Sequence, residues 1–399
     1  MINVMEKELS GWMKDQRFKT PLHLIGTKSW VRYEGKGTCL IISPWNYPFQ
    51  LAMYPVLTAF GAGNTCILKP SEFTPATNKI CRNIIEDVFA PEEIAVCEGG
   101  IDVAQYLLNM EFDHIFFTGS TKVGKIVMEK AAVNLSSVSL ELGGKSPVVV
   151  DEKCDARAAA QKIAWGKLVN SGQTCIAPDY LLVKGDIDKF ATCMIEAIKK
   201  LYPEENWKEN KNYSTIITTK HTERLKAMLD DATSKGAKVY YGGQIDIDSR
   251  IVAPTILTEV SNGMTIMQEE IFGPLLPLLK CDNTEEVIQY INGQEHALSM
   301  YIFSRDKDFI RSLSNQTYSG GICINDTLIH AGHPRLPLGG VGKSGIGKYH
   351  GRYGFEEFSH LRSVVKRNFD PGTTFFYPPY NIKKEGIVSA LLKNFSKLF

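Results

Sequence analysis

The chain has 399 residues, of which 44% are hydrophobic, and its 45 basic and 44 acidic side chains leave a formal net charge of +1. This composition is typical of a soluble globular protein with a substantial core, and the balanced charge excludes a general electrostatic attraction to nucleic acid or to a membrane surface. No run of residues reaches the length of about 18 apolar residues that a membrane-spanning helix needs.

Nine cysteines are spread along the chain without a Cys-x-x-Cys pair. This spacing matches neither a zinc site nor a disulfide framework, so we predict free thiols and no metal. Because free thiols persist in reducing compartments, the sequence favours a cytoplasmic location. Residues 1–19 mix acidic and basic side chains, lack the apolar core of a signal peptide and predict an exposed amphipathic helix.

From Cys39 onwards, short apolar runs alternate with longer amphipathic stretches, which predicts a parallel α/β sheet. A first series contains the strands "TCLIIS", "CILKPS", "IAVCEGG" and "HIFFTGS", the last of which leads into the helix "TKVGKIVMEKAAV". A second series contains "SPVVVD", "DYLLVK", "STIIT" (214–218), "LLPLLK", "MYIFS" and "GICIND". The sequence therefore predicts two α/β lobes that divide near residues 145–150.

Two motifs follow the first two predicted strands. In "SPWNYPFQ" (43–50) two prolines restrict the backbone around Asn46, whose side-chain amide can donate to an oxyanion; a turn-forming asparagine is the structural alternative. In "LKPSE" (68–72) Lys69 and Glu72 lie beyond the carboxyl end of a strand, where open α/β sheets bind ligands. This pair could hold a ribose, and a surface ion pair would have the same spacing.

The segment "FFTGSTKVG" places Gly119 at the end of a strand and Gly124 in the opening turn of a helix. Glycines allow a phosphate to approach the backbone, and a helix N-terminus supplies free N–H groups. The segment does not match the G-x-G-x-x-G dinucleotide fingerprint, and ordinary helix capping explains it equally well.

Three further motifs contain candidate reactive groups. Glu141 in "LELGGKSPVVV" is surrounded by apolar residues, so its carboxylate must be paired, neutral or a base with a raised pKa. Cys175 in "SGQTCIAPD" is either a nucleophile or, like most free cysteines, a buried core residue. Glu270 and Phe272 in "QEEIFGPLLPL" precede an apolar strand, and the glycines of "PLGGVGKSGIG" predict a sharply bent loop.

The order of these motifs resembles that of the NAD(P)-dependent aldehyde dehydrogenase superfamily. The resemblance runs from about Thr20 to Tyr380, and "IISPWNYPFQL" and "FYPPYN" are most similar to the class 3 branch, which includes fatty and aromatic aldehyde dehydrogenases. It implies an α/β fold with a Rossmann-like cofactor domain, an α/β catalytic domain and a small β-strand oligomerisation arm. The implied ranges are 1–145 for the cofactor domain, with 28–38 in the arm, 146–350 for the catalytic domain and 351–399 for the C-terminal oligomerisation strand and amphipathic tail.

The resemblance also assigns roles to the motifs. Cys175 would attack the aldehyde carbonyl, Asn46 and the backbone N–H of Cys175 would stabilise the oxyanion, and Glu141 would activate water to hydrolyse the resulting thioester. The cofactor would be NAD, because a carboxylate at Glu72 repels the 2′-phosphate of NADP. NADP is the alternative cofactor. The implied cofactor-binding residues are Lys69 and Glu72 at the adenosine ribose, Gly119, Ser120, Thr121, Lys122, Val123 and Gly124 at the pyrophosphate, and Glu270 with Phe272 at the nicotinamide ribose.

The implied substrate is a small-molecule aldehyde, the implied assembly is a homodimer built through "SWVRYEGKG" and the region of Ser363 to Phe376, and nucleic acid is not an expected partner. Compared with the family pattern, the chain starts closer to the first motif, as if shortened at its N-terminus, and has Leu338 where an aromatic residue is common. The apolar residues of the tail, 387–399, recur at helical spacing and could contact a membrane surface or dock on the protein.

Three alternatives to a hydrolytic aldehyde dehydrogenase remain at this point. In a CoA-acylating enzyme, coenzyme A would take the acyl group, but thiolysis needs no base such as Glu141. A shortened, catalytically impaired family member is a second alternative, against which the complete set of Asn46, Glu141 and Cys175 argues. A cysteine hydrolase is the third, and no histidine lies near the thiol motif to support it. The identity of the aldehyde depends on loops whose shape the sequence does not fix.

Overall fold

The structure is a computed structural model that describes residues 2–21, 24–204, 206–370, 377–379, 384–386 and 389. The chain divides into two compact units, one formed by residues 1–9 and 35–359 and the other by residues 10–34 and 360–399. The strands are β1 Gln16–Phe18, β2 Thr27–Gly35, β3 Thr38–Ile42, β4 Thr65–Lys69, β5 Ile94–Val96, β6 His114–Thr118, β7 Ser137–Glu141, β8 Pro147–Val150, β9 Tyr180–Lys184, β10 Lys238–Tyr241, β11 Ile245–Asp246, β12 Ile251–Val252, β13 Thr255–Thr258, β14 Leu275–Cys281, β15 Ser299–Phe303, β16 Gly321–Ile324, β17 Gly345–Ile346 and β18 Ser359–Arg367. The helices are α1 Ile2–Trp12, α2 Pro48–Gly61, α3 Pro75–Val88, α4 Ile101–Leu108, α5 Thr121–Val133, α6 Ala156–Leu168, α7 Ile187–Leu201, α8 Thr219–Ser234, α9 Thr265–Gln268, α10 Thr284–Asn292, α11 Lys307–Gln316, α12 Ile329–Gly332 and α13 Gly351–Glu357.

The larger unit contains a six-stranded sheet with the order β17-β7-β6-β3-β4-β5. All neighbours in it are parallel except β17, which runs antiparallel to β7. Strands such as β6 are buried along their whole length, as expected for parallel strands covered on both faces. The strand order reverses between β3 and β6, and the crevice at such a switch point is where open α/β sheets bind ligands. Asn46 follows β3 and Gly119 follows β6, so both predicted motifs lie at this point.

A seven-stranded sheet in the same unit has the order β10-β13-β14-β9-β8-β15-β16. One face is covered by α6 and α7, whose apolar side chains form a core with β8, β9 and β15. The opposite face is covered by α8, α10 and α11. Fully buried apolar strands packed between two layers of helices stabilise this sheet by the hydrophobic effect, and the sheet supports the loops that carry Cys175 and Glu270.

The α/β fold class is confirmed, and almost all the predicted strands are present. The exception is "STIIT" (214–218), which was predicted as a strand but is an irregular segment. Its backbone groups do not pair with a neighbouring strand, because Ser171, Gln173 and Arg250 bond to them instead. The apolar pattern is real, since Ile216 is buried, but the hydrogen bonds come from side chains and from a loop.

The predicted N-terminal helix is present as α1, but it is not simply exposed. Met5 is buried, and the side chains of Met5 and Leu9 lie against Gly61 of α2. Glu8 forms an ion pair with Arg335, at 2.6 Å. One face of this helix therefore packs on the larger unit. Among the helices of the described residues, none combines the length and the apolar character required to cross a bilayer.

The smaller unit contains a three-stranded sheet with the order β1-β2-β18, in which β1 and β2 are antiparallel. These strands include parts of both segments predicted for the oligomerisation arm, and the oligomerisation role stays a prediction. The rest of the second segment, 371–376, and the predicted tail pattern, 387–399, lie outside the described residues apart from Ser389. The predicted domain limits also stay a prediction; β17, from the range given to the catalytic domain, pairs with β7 of the six-stranded sheet.

Candidate active site

The predicted nucleophile lies in a loop with an unusual backbone. This Cys175 loop, residues 169–175, begins where α6 ends, and Asn170, Ser171 and Gly172 in succession have positive φ angles of 51°, 51° and 75°. The left-handed region is costly for residues with a Cβ, so the surroundings must hold this conformation in place. At Gly172 a side chain would collide with the carbonyl of Gly273, which explains the glycine there.

Gln173 holds the loop through three hydrogen bonds. Its Nε2 donates to the carbonyls of Asn170, at 3.0 Å, and Thr215, at 3.1 Å, and its Oε1 accepts from the N–H of Ile217, at 2.9 Å. The side chain is almost fully buried, with 2% of its surface exposed. Buried amides that satisfy backbone groups in this way fix a loop in one conformation. The sequence contains this residue in "GQTC", but its function became visible only in three dimensions.

Asn46 meets the Cys175 loop directly, although it comes from the other sheet. Asn46 Nδ2 donates to the carbonyl of Gln173, at 3.0 Å, and Asn170 Nδ2 donates to the carbonyl of Asn46, also at 3.0 Å. The hydroxyls of Tyr47 and Thr174 share a further hydrogen bond of 2.7 Å. A primary amide has two N–H groups, so the bond to Gln173 orients Asn46 and leaves the second hydrogen for another acceptor.

The thiol of Cys175 is half-buried and lies among carboxylates. Loss of contact with water raises its pKa to about 12, and the charges of Glu270 and Glu141 add to the rise. The backbone N–H groups of Cys175 and Ile176 act in the opposite direction by donating to the sulfur. The resting group is therefore a thiol, and negative charge that develops near it meets backbone donors.

Glu141 ends β7, and its side chain is 4% exposed. Burial raises the pKa of its carboxyl well above the ordinary value, and the charge of Glu357 raises it further. Within the part of the chain that the structure describes, its Oε1 has no hydrogen-bond partner. The backbone of Glu141 is fixed, because its carbonyl accepts from Gly119, at 3.0 Å, and the residue pairs with Gly345 of β17. The sequence prediction of a carboxylate with a raised pKa agrees with this environment.

Glu270 lies against the Gly143–Gly144 turn that follows Glu141. A side chain at Gly143 would collide with the carboxylate of Glu270, and the N–H of Gly144 donates to it. Burial raises the pKa of Glu270 to about 8, with a smaller contribution from the charge of Asp179. The structure thus brings Glu270, Glu141 and Cys175 within electrostatic reach of one another.

The loop that carries Glu270, residues 266–272, is clamped by charged side chains that sequence reasoning missed. Lys145 forms an ion pair with Asp179 and donates to two carbonyls of the loop, at 2.7 and 3.0 Å. Asp179 accepts from a loop N–H at 2.9 Å, and Arg224 donates to two other loop carbonyls. Lys145 and Asp179 lie within the quoted motifs "LELGGKSP" and "SGQTCIAPD", which was the available signal. Buried, bonded ion pairs of this kind specify position more than stability.

Phe272 follows Glu270 with a positive φ of 48° and packs edge-on against Trp45, with 5.5 Å between ring centroids. Trp45 is the residue before Asn46, so this contact links the 266–272 loop to the segment after β3. Edge-to-face packing of aromatic rings fixes their relative orientation. Three of the predicted motifs therefore converge on the same region of the larger unit.

The residues predicted to hold the adenosine part of a cofactor lie at the carboxyl end of β4. Lys69 Nζ forms an ion pair with Glu72 Oε2 at 3.1 Å, and Lys69 is 4% exposed while Glu72 is exposed to solvent. Ser43 lies directly beside them, because its N–H donates to the carbonyl of Lys69, at 3.1 Å. The hydroxyl of Ser43 is buried and has no hydrogen-bond partner among the described residues. Such an unsatisfied group at a switch point fits a ligand hydroxyl.

The segment from Gly119 to Gly124 forms the turn and first helical turn after β6, as predicted. Ser120 caps α5 by accepting from the N–H of Val123, at 3.4 Å, and Thr121 Oγ1 donates to the carbonyl of Lys343, at 3.1 Å. A Cβ at Gly124 would lie 2.7 Å from the side chain of Leu142, so glycine lets α5 approach the sheet. The side chains of Lys122 and Val123 are exposed, and their backbone N–H groups belong to the positive end of the helix.

The arrangement therefore offers a thiol that accepts from backbone N–H groups, a buried carboxyl whose charge reaches it, and a crevice lined by Lys69, Ser43 and the N-terminus of α5. No cluster of three or more histidine, cysteine, aspartate or glutamate side chains in the described ranges is arranged to hold a metal ion. These groups can support covalent chemistry on sulfur coupled to a dinucleotide cofactor.

Comparisons with known proteins agree with this chemistry. The sequence pattern of the aldehyde dehydrogenase family matches residues 2–364. The chain is 42% identical to 4,4′-diaponeurosporen-aldehyde dehydrogenase of Staphylococcus aureus over 98% of this chain and 85% of that protein, and 43% identical to aldehyde dehydrogenase family 3 member A2 of Mus musculus over 93% and 76%.

Solved structures show the same similarity. The substrate-bound state of Staphylococcus aureus AldH superimposes with a TM-score of 0.92 at 42% identity, covering 98% of this chain and 84% of that one. Betaine aldehyde dehydrogenase of Staphylococcus aureus in complex with NAD⁺ superimposes with a TM-score of 0.83 at 28% identity, covering 94% and 76%. The family, and with it the fold, is therefore established.

Proposed function

Because the chain belongs to the aldehyde dehydrogenase family and is therefore an oxidoreductase, we propose that it oxidises an aldehyde to a carboxylic acid with NAD(P)⁺ through a covalent intermediate on Cys175. The observation that carries this proposal is the contact between Asn46 and the Cys175 loop. The 3.0 Å bond from Asn46 Nδ2 to the carbonyl of Gln173 fixes an amide donor beside a thiol that already faces backbone N–H groups.

The first step is attack of the sulfur on the aldehyde carbonyl, which forms a C–S bond and a thiohemiacetal oxyanion. The raised pKa of Cys175 means that the thiol must lose its proton during the attack. Glu270 and Glu141 are the carboxylates whose charges reach the sulfur and can accept that proton. Asn46 and the N–H of Cys175 stabilise the oxyanion, and losing one such donor costs about 3–4 kcal/mol in comparable sites.

The cofactor fits the crevice at the switch point between β3 and β6. Lys69, Glu72 and the unsatisfied hydroxyl of Ser43 would hold the adenosine ribose, the segment 119–124 the pyrophosphate, and Glu270 the nicotinamide ribose. When bound, NAD⁺ supplies an acceptor for the hydride of the thiohemiacetal. The carboxylate of Glu72 favours NAD over NADP. This preference is small, because Lys69 already neutralises part of the charge of Glu72. A similar protein of Rattus norvegicus carries the name aldehyde dehydrogenase, dimeric NADP-preferring.

Hydride loss leaves a thioester, and hydrolysis of the thioester releases the acid. Glu141 is the group to activate the water, since it is buried near the sulfur and one of its oxygens has no bond to the described protein. A general base must be ionised, and its pKa is raised, so activity rises with pH over the range in which Glu141 loses its proton. Attack of the coenzyme A thiol on the thioester would need no such base, so the presence of this carboxylate favours hydrolysis over acyl transfer to coenzyme A.

The test uses the purified full-length protein with benzaldehyde and with a long-chain aldehyde, each with NAD⁺ and with NADP⁺. We expect NADH formation and an equal amount of carboxylic acid without coenzyme A. Product that appears only with coenzyme A would replace hydrolysis by the acylating reaction. A folded sample that produces neither NADH nor acid from a wider panel of aldehydes would overturn the proposal.

We also propose that the protein forms a homodimer through the smaller unit, because β1 and β18 are the outer strands of its three-stranded sheet in the described residues, and a second copy could add a strand there. β18 supports this role, since most of its residues are exposed, including Leu361 and Val365. Light scattering on the wild type and on a Val365→Asp variant tests it. A monomeric wild type would contradict the proposal, and a dimer weakened by the variant would support it.

A further inference from the structure

A second acidic side chain, Glu357, lies beside the strand that carries Glu141. Glu357 ends α13, and its Oε1 accepts from Ser139 Oγ of β7, at 2.6 Å. A Cβ at Gly347 would lie 2.5 Å from the same oxygen, so glycine makes room for the carboxylate. Its Oε2 accepts from the N–H of Lys348, at 3.4 Å. Glu357 is half-buried, whereas Glu141 is almost fully buried, so Glu357 is the one with access to water.

A chain of donors points at Glu357 from the amino end of β6. Lys36 Nζ lies 3.2 Å from His114 Nδ1, and Ser139 Oγ lies 3.0 Å from His114 Nε2. An ammonium group can only donate, so Nδ1 is the acceptor and Nε2 carries the proton of a neutral ring. Burial, and then the charge of Lys36, lower the pKa of His114 to about 3, which keeps the ring neutral. Ser137 Oγ also lies within hydrogen-bond distance of His114 Nδ1, at 2.8 Å.

This chain is buried and oriented. His114 and Ser139 have no exposed surface, and each bond in the series donates towards Glu357: Lys36 to His114, His114 to Ser139, and Ser139 to the carboxylate. Hydrogen bonds arranged in one direction polarise and strengthen each other. The chain therefore fixes one oxygen of Glu357 through the hydrogen bond from Ser139.

Glu357 and Glu141 are neighbours across Ser139. Ser139 and Glu141 are two residues apart on β7, so their side chains project to the same side of the strand at a separation of about 7 Å. Gly345 pairs with Glu141, and Gly347, two residues later, contacts Glu357. The charge of Glu357 acts on Glu141. Bridging water molecules can connect two carboxyl groups that do not touch each other.

We propose that Glu357 receives the proton of Glu141 after each hydrolysis and releases it to solvent, while Lys36, His114 and Ser139 hold its carboxylate in position. The inference rests on the proposed function, because Glu141 gains this proton only if it activates the hydrolytic water. The O–H bond of protonated Glu141 breaks, a water molecule passes the proton on, and an O–H bond forms on Glu357. That bond then breaks to bulk water, so both carboxylates are restored and no oxidant or reductant takes part.

The test compares Glu357→Gln with Glu356→Gln in the full-length protein. Glutamine keeps the shape and the hydrogen bond from Ser139 but accepts no proton. Glu356 is the adjacent residue of α13 and bonds to Arg352, at 2.7 Å, so it is a matched control away from β7. Stopped-flow measurement of NADH and steady-state kcat are recorded for both variants and for the wild type, with and without added imidazole as a diffusible proton acceptor.

For Glu357→Gln we expect a first turnover of NADH like that of the wild type, then a steady-state rate about tenfold lower. Imidazole should restore most of the loss, and Glu356→Gln should stay within twofold of the wild type. Ser139→Ala, which leaves Glu357 ionisable but unfixed, should show the same pattern with a smaller loss. A steady-state rate of Glu357→Gln within twofold of the wild type, or a loss that imidazole does not relieve, would overturn the inference.

The readouts separate this inference from the proposed function. If the wild type makes no NADH and no acid, the proposed function fails. If the wild type makes both at equal rates and Glu357→Gln behaves like it, only the role of Glu357 fails. A first turnover that is itself lost in Glu357→Gln would assign a structural role to the residue and contradict the inference.

Discussion

Cys175 and Glu141, the two groups proposed to react, are held in opposite ways. The loop that carries Cys175 is saturated with hydrogen bonds: Gln173 makes three through its side chain, and Asn46 and Asn170 tie the loop to the segment after β3. The carboxyl of Glu141 has a fixed backbone, but its Oε1 accepts no hydrogen bond from any described residue. The Cys175 loop is therefore fixed by hydrogen bonds, whereas one oxygen of Glu141 has none to the described residues.

This difference follows from what each group must do. A nucleophile and its oxyanion donors must keep one geometry, because catalysis depends on donors placed where the charge develops. A general base must contact water, gain a proton and lose it again in every cycle, so a carboxylate fully bonded to protein would be a poor base. The raised pKa of Glu141 is the result of leaving that carboxylate buried with few partners.

Removing the sulfur should have the largest effect. Cys175→Ser replaces the thiol by a hydroxyl that is a far weaker nucleophile at neutral pH, so we expect NADH formation to fall by about 10⁴-fold or more. NAD binding, followed by fluorescence quenching or calorimetry, should survive, because most of the proposed cofactor-binding groups lie at the ends of β3 and β4 and at the start of α5. Appreciable hydride transfer in this variant would remove Cys175 from the mechanism.

Neutralising the base should stop the cycle at its second half. Glu141→Gln leaves the Cys175 loop and its bonds intact, so the first hydride transfer should proceed while hydrolysis slows by about 10²- to 10³-fold. We expect one NADH per active site and an acyl group on Cys175, detected by intact-protein mass spectrometry. As a control, Glu141→Asp should turn over slowly but completely, because the group is still ionisable. Normal turnover in Glu141→Gln would contradict the role of Glu141.

Unlocking the loop tests the other side of the comparison. Gln173→Ala leaves the carbonyl of Thr215 and the N–H of Ile217 without their partner, whereas the carbonyl of Asn170 keeps the backbone N–H of residue 173, so we expect the free energy of unfolding to fall by about 1–3 kcal/mol. Chemical denaturation measures this loss, and kcat should fall together with it, because the carbonyl of residue 173 that orients Asn46 is no longer held in place. Gln268→Ala is the matched control, since this glutamine is exposed and its side chain donates one hydrogen bond, to the carbonyl of Asn262. Equal stability of the two variants would show that Gln173 does not hold the loop.

The sequence predicted the elements of this site better than the ways in which they are held. The period of the apolar runs predicts β3 and β6 because parallel strands are apolar along their length, and Ser120 marks the start of α5 because its side chain caps the helix. The segment 214–218 has the same apolar pattern, but its hydrogen bonds come from Ser171 and Gln173, some 40 residues earlier in the chain. No local pattern records such bonds.

The positioning groups were missed for the same physical reason. Lys145 and Asp179 lie within quoted motifs, yet their pairing and their bonds to the 266–272 loop depend on a contact between three separate segments. Likewise, the interaction of Glu357 with β7 joins residues 218 positions apart. The order of the motifs, through its resemblance to a known family, therefore predicted the reacting groups, whereas tertiary contacts decide how each of them is constrained.

The smallest expected effect is that of the Glu270 charge on the thiol of Cys175. Loss of solvent contact and then the charge of Glu270 raise the pKa of Cys175, and the pKa of Glu270 itself is about 8. Below about pH 8 Glu270 is neutral and does not act on the thiol; above it the carboxylate opposes thiolate formation. In Glu270→Gln this opposition is absent at every pH, so the pKa of Cys175 is lower and its thiolate fraction is higher, but only where the wild-type Glu270 would be ionised.

Alkylation of the cofactor-free protein by iodoacetamide measures this effect, with the peptide that contains Cys175 quantified by mass spectrometry. We expect equal rates for wild type and Glu270→Gln at pH 7 and a rate about three- to tenfold higher for the variant at pH 9–10. Glu269→Gln, whose side chain is exposed on the same loop, should match the wild type throughout. Equal alkylation rates for Glu270→Gln and the wild type at pH 10 would show that the charge of Glu270 does not reach the sulfur. Glu141 would then be the one carboxylate of the two that acts on Cys175.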